Sequence, residues 1–223
     1  MMTSEQACRL IDISAVRTAH TLKDIETLVQ LAKKHRFINV HALPCWIGNL
    51  SRLLKDEPDV YVGAPVGFPS GAHKTEVKCL EAKMLIADGV QEMDIVMNVS
   101  RFLNNEHDAV LDDLRQVIKL TPENVLTKVI IEINALNDAE VERACELVME
   151  SGADFVKTGT GWVAGDANVE RIRKIKKICG SKIKVKAAGG IRTPQEFIKL
   201  YDMGVERMGI NTKSALEIVK SFG

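Results

Sequence analysis

Short runs of apolar residues, many of them β-branched, alternate along the chain with longer segments whose apolar residues recur every three or four positions. The first pattern is typical of strands that are buried on both faces, and the second of amphipathic helices. Eight runs of the first kind can be counted, at residues 10–13, 38–42, 60–66, 91–97, 126–133, 155–157, 183–187 and 207–210. This repetition predicts an α/β fold, and the count of eight favours a single (β/α)8 TIM barrel.

Helix start and stop signals support the same alternation. A capping side chain lies three residues before an acid in four pairs, which are Thr21 with Asp24, Asn137 with Glu140, Thr193 with Glu196 and Ser214 with Glu217. Such pairs satisfy free N–H groups at the start of a helix. Glycines at positions 89, 152, 180 and 204 follow helical segments, where a helix is expected to end.

The length and charge of the chain exclude several classes of protein. A chain of 223 residues predicts one domain, over residues 1–223, with a continuous core. Thirty basic residues balance thirty acidic ones, so no long-range field favours nucleic acid or an anionic membrane surface. No apolar stretch approaches the roughly 20 residues that span a bilayer. We therefore expect no nucleic-acid partner and no membrane association.

The cysteines and histidines indicate neither a disulfide framework nor a metal site. The five cysteines are scattered, at positions 8, 45, 79, 145 and 179, without the spacing of a metal-binding motif. Nucleotide-binding glycine motifs are also missing from the sequence. These features predict a cytoplasmic protein with reduced thiols that needs no metal and no cofactor.

Two lysines, Lys157 and Lys186, each end a short apolar run. In parallel α/β barrels the chemistry takes place at the carboxyl ends of the strands, so both amines are expected at the mouth of the barrel. The residues predicted to share this mouth are Asp12, His41, Gly67, Asp94, Asn98, Asn134, Lys157, Lys186 and Asn211.

A pair of lysines is what an imine-forming enzyme requires. Two ammonium groups about 6 Å apart repel by about 3 kcal/mol at an effective dielectric constant of about 20. That repulsion lowers the pKa of one lysine from about 10.4 to about 8, where the neutral amine can attack a carbonyl. Asp94 favours the charged form of the lysine that it contacts, which divides the roles of nucleophile and proton shuttle. The alternative is a structural ion pair between Asp94 and one lysine.

Glycines and polar residues follow the last two predicted strands. Gly189 and Gly190 precede Arg192 and a capped helix, and a second loop runs from Gly209 through Asn211 to Thr212. Backbone N–H groups and helix N-termini bind anions, and TIM barrels often build a phosphate site from these two loops. The pattern predicts a phosphorylated substrate.

Seven motifs, in their order and spacing, resemble those of the deoxyribose-phosphate aldolases, which are class I aldolases on a (β/α)8 barrel. The motifs are Ile11-Asp12, Val66-Gly-Phe-Pro69-x-Gly71, Thr75-x-x-Lys78-x-x-Glu81-Ala82, Glu92-x-Asp94, Lys128-Val-Ile-Ile-Glu132, Ala153-Asp-Phe-Val-Lys157-Thr-x-Thr160-Gly161 and Val185-Lys186-Ala-Ala-Gly-Gly190-Ile-Arg192. The similarity extends through most of the chain.

The resemblance implies a reaction and a set of roles. The reaction is reversible cleavage of 2-deoxy-D-ribose 5-phosphate to D-glyceraldehyde 3-phosphate and acetaldehyde, without metal. Lys157 is then the Schiff-base lysine, Asp94 and Lys186 are the proton-relay pair, and Asp12 and Thr160 support them. The implied substrate- and phosphate-binding residues are Gly161, Gly189, Gly190, Arg192, Gly209, Asn211 and Thr212. A homodimer is also expected by resemblance.

The chain departs from the family pattern around the expected pocket, at Ile13, His41, Gly159, Trp162 and Asn211. His41 takes the place of a cysteine that is common on the second strand, and its role stays open between pocket wall, substrate hydrogen bond and packed side chain. Two alternatives follow. One is the same imine mechanism on a different deoxy- or keto-sugar phosphate, and the other is a catalytically idle barrel that binds a phosphorylated metabolite.

Overall fold

The computed structural model describes residues 2–165 and 168–223. Eight parallel strands pair in chain order and close into a barrel. The strands are β1 Ile11–Ala15, β2 Asn39–Ala42, β3 Tyr61–Val66, β4 Glu92–Val96, β5 Leu126–Ile130, β6 Phe155–Lys157, β7 Lys184–Ala188 and β8 Arg207–Ile210. The prediction of a TIM barrel is confirmed, since each predicted run contains or overlaps one of these strands.

Helices surround the barrel. They are α1 Ser4–Cys8, α2 Leu22–His35, α3 Ile47–Leu54, α4 Thr75–Ala87, α5 Val99–Leu103, α6 His107–Lys119, α7 Asp138–Ser151, α8 Val169–Cys179, α9 Pro194–Asp202 and α10 Thr212–Lys220. Two short 3₁₀ turns, Pro44–Trp46 and Ile133–Ala135, lie in the loops after β2 and β5. Apolar residues of the helices, such as Ile25 and Ile172, belong to the same buried core as strand residues.

Three of the four predicted capping pairs form. Thr21, Asn137 and Thr193 each make a capping box with the acid three residues later. The prediction for Ser214 is wrong, because this residue lies inside α10. Asn211 caps α10 instead, since its side-chain oxygen accepts a hydrogen bond from the backbone N–H of Ser214.

The fifth strand is shorter than its apolar run predicts. It ends at Ile130 because Glu132 adopts a left-handed backbone conformation, with φ of 54°, which an extended strand does not allow. Ile131 and Ile133 lie beyond the end of the strand but are both buried, which explains why the apolar run is longer than the strand. The turn that follows places the Glu132 carboxylate near the mouth of the barrel.

Alternation along β4 shows how the strands deliver charge to the interior. Glu92 and Asp94 are two residues apart and fully buried among other charged side chains of the barrel. Met93 and Ile95 lie between and beyond them in the apolar core. Since successive side chains of a strand point to opposite faces, one strand supplies both the packed outer layer and the polar interior.

A buried ion pair joins two helices away from the barrel interior. Lys78 of α4 is fully buried, and its Nζ lies 2.7 Å from Asp113 Oδ2 of α6. The same amine donates to the Val96 carbonyl, while Thr75 donates to the other oxygen of Asp113. Burial lowers the pKa of Lys78, and the carboxylate opposes that shift.

Asp113→Asn is expected to lower the free energy of unfolding by roughly 3–5 kcal/mol, because it leaves the Lys78 ammonium buried without its counter-charge. Chemical denaturation followed by circular dichroism measures the change. The double variant Lys78→Met with Asp113→Asn is the control. It should recover much of the loss, because no unpaired charge remains. A single variant as stable as the parent contradicts this prediction.

Candidate active site

A cavity of about 490 Å³ opens at the carboxyl ends of the strands. Twelve residues predicted to belong to the site line it, which are Asp12, His41, Lys157, Thr160, Gly161, Lys186, Gly189, Gly190, Arg192, Gly209, Asn211 and Thr212. Asp94 lies beneath the cavity floor and is fully buried. Gly67, Asn98 and Asn134 lie outside the lining that the described residues form. Asn98 instead caps α5.

Asp94 on β4 contacts both lysines, Lys157 on β6 and Lys186 on β7. The Nζ atom of Lys157 lies 2.6 Å from Asp94 Oδ2, and that of Lys186 lies 2.8 Å from the same oxygen. Both lysines are buried, and both reach the cavity. One carboxylate oxygen therefore contacts both amines.

The pKa of Lys157 is lowered to about 8. Burial is the largest cause, because it penalises the charged amine; Lys186 lowers the pKa further, and Asp94 opposes the shift. The expected value is thus reached, but the expected cause is incomplete, since desolvation outweighs the repulsion between the lysines. The amine is substantially neutral near pH 8 and can act as a nucleophile.

Lys186 has the opposite environment. Burial opposes its charge, yet the pKa is raised, because Asp12 and Asp94 both favour the ammonium form. Its Nζ lies 2.5 Å from Asp12 Oδ2. The pKa of Asp94 is well below its usual range: burial opposes this, and the facing cations together with His41 outweigh it. Lys186 is therefore held as an ammonium, and Asp94 as a carboxylate.

An ionic layer that the sequence reasoning missed lies under the lysines. Arg207 pairs with Asp12 and Glu92, while Lys128 Nζ lies 2.6 Å from Glu92 and 3.3 Å from Asp94. The linked carboxylates are Asp12, Glu92 and Asp94, and the linked cations are Lys128, Lys157, Lys186 and Arg207. The charges balance when Lys157 is neutral. Charged residues at alternate positions of otherwise apolar strands are the signal that could have revealed this layer.

The loop after β6 is held from below by Glu132. The carboxylate of Glu132 accepts hydrogen bonds from both the backbone N–H and the hydroxyl of Thr160. A Cβ atom at Gly159 would lie 2.9 Å from Glu132 Oε1, so the carboxylate fills the space next to this glycine. Gly159, which differs from the family pattern, thus lies against the Glu132 carboxylate that orients Thr160.

Trp162 and Arg17 join three loops at the rim. The indole N–H of Trp162 donates to the Val16 carbonyl at 3.1 Å, and Arg17 donates to the Gly161 carbonyl at 2.7 Å. The Arg17 guanidinium also lies over the indole, and Phe68 meets its edge. Arg17 was not predicted from the sequence, in which no motif singles it out.

The other three residues that differ from the family pattern lie in three different environments. Ile13 is fully buried in the apolar core, so it does not change the cavity wall. His41 is buried at the cavity floor, where its Nε2 lies 3.1 Å from Asp94 Oδ2. The side chain of Asn211 exchanges hydrogen bonds with Ser214 as a helix cap.

The two loops predicted to bind phosphate lie side by side. Gly189 and Gly190 both have left-handed backbone conformations, with φ of 96° and 80°, which suit glycine. The start of α9 differs from the expectation of free N–H groups, because Glu196 accepts hydrogen bonds from the backbone N–H groups of Arg192 and Thr193. In α10 the Asn211 side chain accepts from the N–H of Ser214, so the glycines and the N–H groups of Thr212 and Lys213 are the better donors for an anion.

Within the described part of the chain, the structure contains no helix of the length and apolar character that crossing a membrane requires. Across the same residues, no three or more His, Cys, Asp or Glu side chains are grouped so that they could hold a metal ion.

The chain is similar to known aldolases over almost its whole length. The family model for DeoC/LacD family aldolases matches residues 6–211. The deoxyribose-phosphate aldolase of Klebsiella pneumoniae is 39% identical over 97% of this chain and 88% of its own length. That of Carboxydothermus hydrogenoformans is also 39% identical, over 100% of this chain and 97% of its own length.

A solved structure agrees with these relatives. The structure described as a unique tetrameric deoxyribose phosphate aldolase from Aeropyrum pernix superposes with a TM-score of 0.90 and 26% identity, covering 99% of this chain and 92% of its own. The sequence resemblance is therefore confirmed, and the chain belongs to the DeoC/LacD family of aldolases.

Proposed function

We propose that this chain is a class I aldolase, a carbon–carbon lyase that reversibly cleaves 2-deoxy-D-ribose 5-phosphate to D-glyceraldehyde 3-phosphate and acetaldehyde. The observation that carries the proposal is Lys157, a cavity-lining amine with a pKa of about 8 in contact with Asp94. The curated relatives with about the same length as this chain are deoxyribose-phosphate aldolases, which supports the substrate.

Lys157 forms the imine. The neutral amine attacks the aldehyde carbon of the open-chain sugar, and loss of water leaves a protonated imine. Asp94 Oδ2, which lies 2.6 Å from the nitrogen in the free enzyme, stabilises the positive charge that the imine retains. The imine then accepts the electrons of the C2–C3 bond when this bond breaks.

Asp94 and Lys186 move the protons. The pair removes the proton of the 3-hydroxyl, through a water molecule, as the C2–C3 bond breaks and glyceraldehyde 3-phosphate leaves. Lys186 remains charged between Asp12 and Asp94, so it can deliver a proton to the enamine carbon. Hydrolysis of the resulting imine, with a water ordered by Thr160, releases acetaldehyde and the free lysine.

The phosphate group binds at the side of the cavity that the loops after β7 and β8 form. The backbone N–H groups of Gly189 and Gly190 and the first turn of α10 surround this side, with Gly161, Arg192 and Gly209 completing it. Binding energy from the phosphate holds the aldehyde carbon near Lys157.

A second substrate with the same mechanism is favoured by one observation, the rim formed by Trp162 and Arg17. This rim ties the loop after β6 to the loop after β1, and its Arg17 lines the cavity that Lys157 reaches. In this second candidate function, the rim selects a different deoxy- or keto-sugar phosphate. A binding-only barrel is the alternative from another class, and the imine experiment below separates it from both aldolases.

We also propose that residues 1–223 act as one catalytic domain in the cytoplasm, with no metal or cofactor. The unpaired cysteines support a reducing compartment, because none of the five forms a disulfide.

Borohydride should trap the enzyme on Lys157 when 2-deoxyribose 5-phosphate or acetaldehyde is present, because reduction makes the imine permanent. Dihydroxyacetone and other sugar phosphates complete the panel, and the compound that labels fastest identifies the donor. Peptide mass mapping locates the adduct. The Lys157→Met variant should show no adduct, while Lys184→Met, at an exposed lysine, should label like the parent. Bound sugar phosphate without any Lys157 adduct would overturn the aldolase proposal in favour of the binding-only barrel.

The rate at which borohydride traps the imine on Lys157 should rise with pH and level off above about pH 8. The sign follows from the lysine, whose neutral form is the nucleophile and whose pKa is lowered to about 8. Trapping rates between pH 6 and pH 10, measured at saturating borohydride, test this expectation. A rate that keeps rising towards the ordinary lysine pKa of about 10.4 would contradict it.

Gly189→Ala should raise the KM for 2-deoxyribose 5-phosphate about tenfold, because an alanine at φ of 96° strains the loop that binds the phosphate. Activity on unphosphorylated 2-deoxyribose should change little. Gly152→Ala is a matched control, since Gly152 also has a positive φ and open space but ends α7, outside the site. Equal losses on both sugars would exclude this role for the loop.

We propose in addition that the protein is a homo-oligomer, in line with the tetrameric relative. Helix α4 exposes Val77, Leu80 and Met84, with 49%, 59% and 61% of their surfaces accessible, at spacings of three and four residues. This stripe suits burial against a second copy. Sedimentation should show an oligomer that Leu80→Glu weakens, whereas Lys23→Glu, at an exposed residue of α2, should not. A monomeric parent protein would overturn the proposal.

A further inference from the structure

The imidazole of His41 occupies a space that glycine provides. His41 on β2 lies beside Gly63 on β3 in the strand register. A Cβ atom at Gly63 would lie 2.2 Å from His41 Nδ1 and 2.8 Å from Asn39 Oδ1, so no larger residue fits next to this ring. The imidazole is therefore held in one orientation, with its Nε2 towards Asp94.

Asn39 determines which ring nitrogen carries hydrogen. The amide nitrogen of Asn39 donates to Glu92 Oε2 at 2.8 Å, and a carboxylate can only accept, so the amide oxygen must face His41. That oxygen contacts His41 Nδ1 at 2.5 Å. The Nδ1 atom of His41 therefore carries the hydrogen, which leaves Nε2 as the acceptor in the neutral ring.

In the neutral ring, His41 Nε2 faces Asp94 Oδ2 beneath the cavity, and both atoms are hydrogen-bond acceptors. The Nε2 atom is buried, has no hydrogen-bond partner among the described residues, and lies 3.1 Å from Asp94 Oδ2. Burial lowers the pKa of His41 to about 4, helped by Lys186 and Lys128 and opposed by Asp94, so the ring is neutral near pH 7. A proton on Nε2 would convert the contact into an ion pair. The contact between Nε2 and Asp94 can therefore accept the one proton that the reaction transfers.

We propose that His41 stores the transferred proton of the aldol reaction: Nε2 receives this proton through Asp94 and holds it during turnover. This inference depends on the proposed function. The proton leaves the 3-hydroxyl through the Asp94–Lys186 pair and reaches Nε2, while the O–H electron pair becomes the new C=O bond. The C2–C3 pair forms the C1–C2 double bond of the enamine, and the imine electrons move to the Lys157 nitrogen. The proton then returns to C2, which restores the imine and the neutral ring.

The need for such a group follows from the charges around Asp94. Burial opposes the charge of Asp94, yet His41 and the contacting lysines Lys157, Lys186 and Lys128 hold the pKa of this carboxylate well below its usual range, which makes it a poor place for a proton. The neighbouring imidazole is the more basic of the two. Asp94 in turn favours the imidazolium that forms only while the proton is stored.

Two variants and three assays test this inference on the full-length enzyme. His41→Gln keeps a side chain of similar reach but cannot hold a proton, and Asn39→Leu removes the acceptor that keeps hydrogen on Nδ1. The assays are cleavage of 2-deoxyribose 5-phosphate, exchange of the acetaldehyde methyl hydrogens in D₂O, and borohydride trapping of acetaldehyde on Lys157. Cleavage and exchange both need a stored proton, whereas trapping reads imine formation alone.

Cleavage kcat and methyl exchange are expected to fall at least about tenfold in both variants, while acetaldehyde trapping stays within about twofold of the parent rate. A parallel fall in trapping would overturn the inference, because His41 would then act on Lys157 or on the fold. Full activity of His41→Gln would also overturn it, because only the shape of the side chain would matter. If the parent enzyme itself is not trapped on Lys157, the proposed function fails, which is a distinct result.

Discussion

Asp94 contacts two lysines through one carboxylate oxygen in the buried interior of the barrel, and the rest of the site depends on this contact. Charges are costly to bury, so each must be paired. With Lys157 neutral, three carboxylates face three cations in the linked network. The requirement for charge balance thus favours the same protonation state that a nucleophilic amine needs.

Burial lowers the pKa of both lysines, but the net shift differs in direction between them. For Lys157, with one carboxylate nearby, desolvation prevails and the pKa falls to about 8. For Lys186, Asp12 joins Asp94 and their combined attraction prevails, so the ammonium persists. Arg207 keeps Asp12 in place beneath this pair. A difference of one carboxylate contact therefore separates the proposed nucleophile from the proposed proton donor on neighbouring strands.

The charged floor of the cavity and its rim are built from different parts of the chain. Strand ends supply the charged floor, where barrel packing limits movement. Loops supply the rim, in which Glu132 orients Thr160 and Arg17 stacks on Trp162. Changes in the rim can alter which sugar enters without disturbing the amine chemistry, which is why the departures from the family pattern at Gly159 and Trp162 are compatible with an intact floor.

The sequence by itself determined the alternation of strands and helices, the count of eight strands, and the lysines at the strand ends, because all of these are local patterns. Motif spacing also identified the family. Only the tertiary structure decided which charges meet: Lys128 and Arg207 join the site through strands far apart in the chain. The tertiary structure also determined that desolvation is the main cause of the lowered Lys157 pKa. It determined as well that β5 ends before Glu132, although the apolar run continues past this residue. Burial and contact depend on the closure of the barrel and its register, which no local pattern contains.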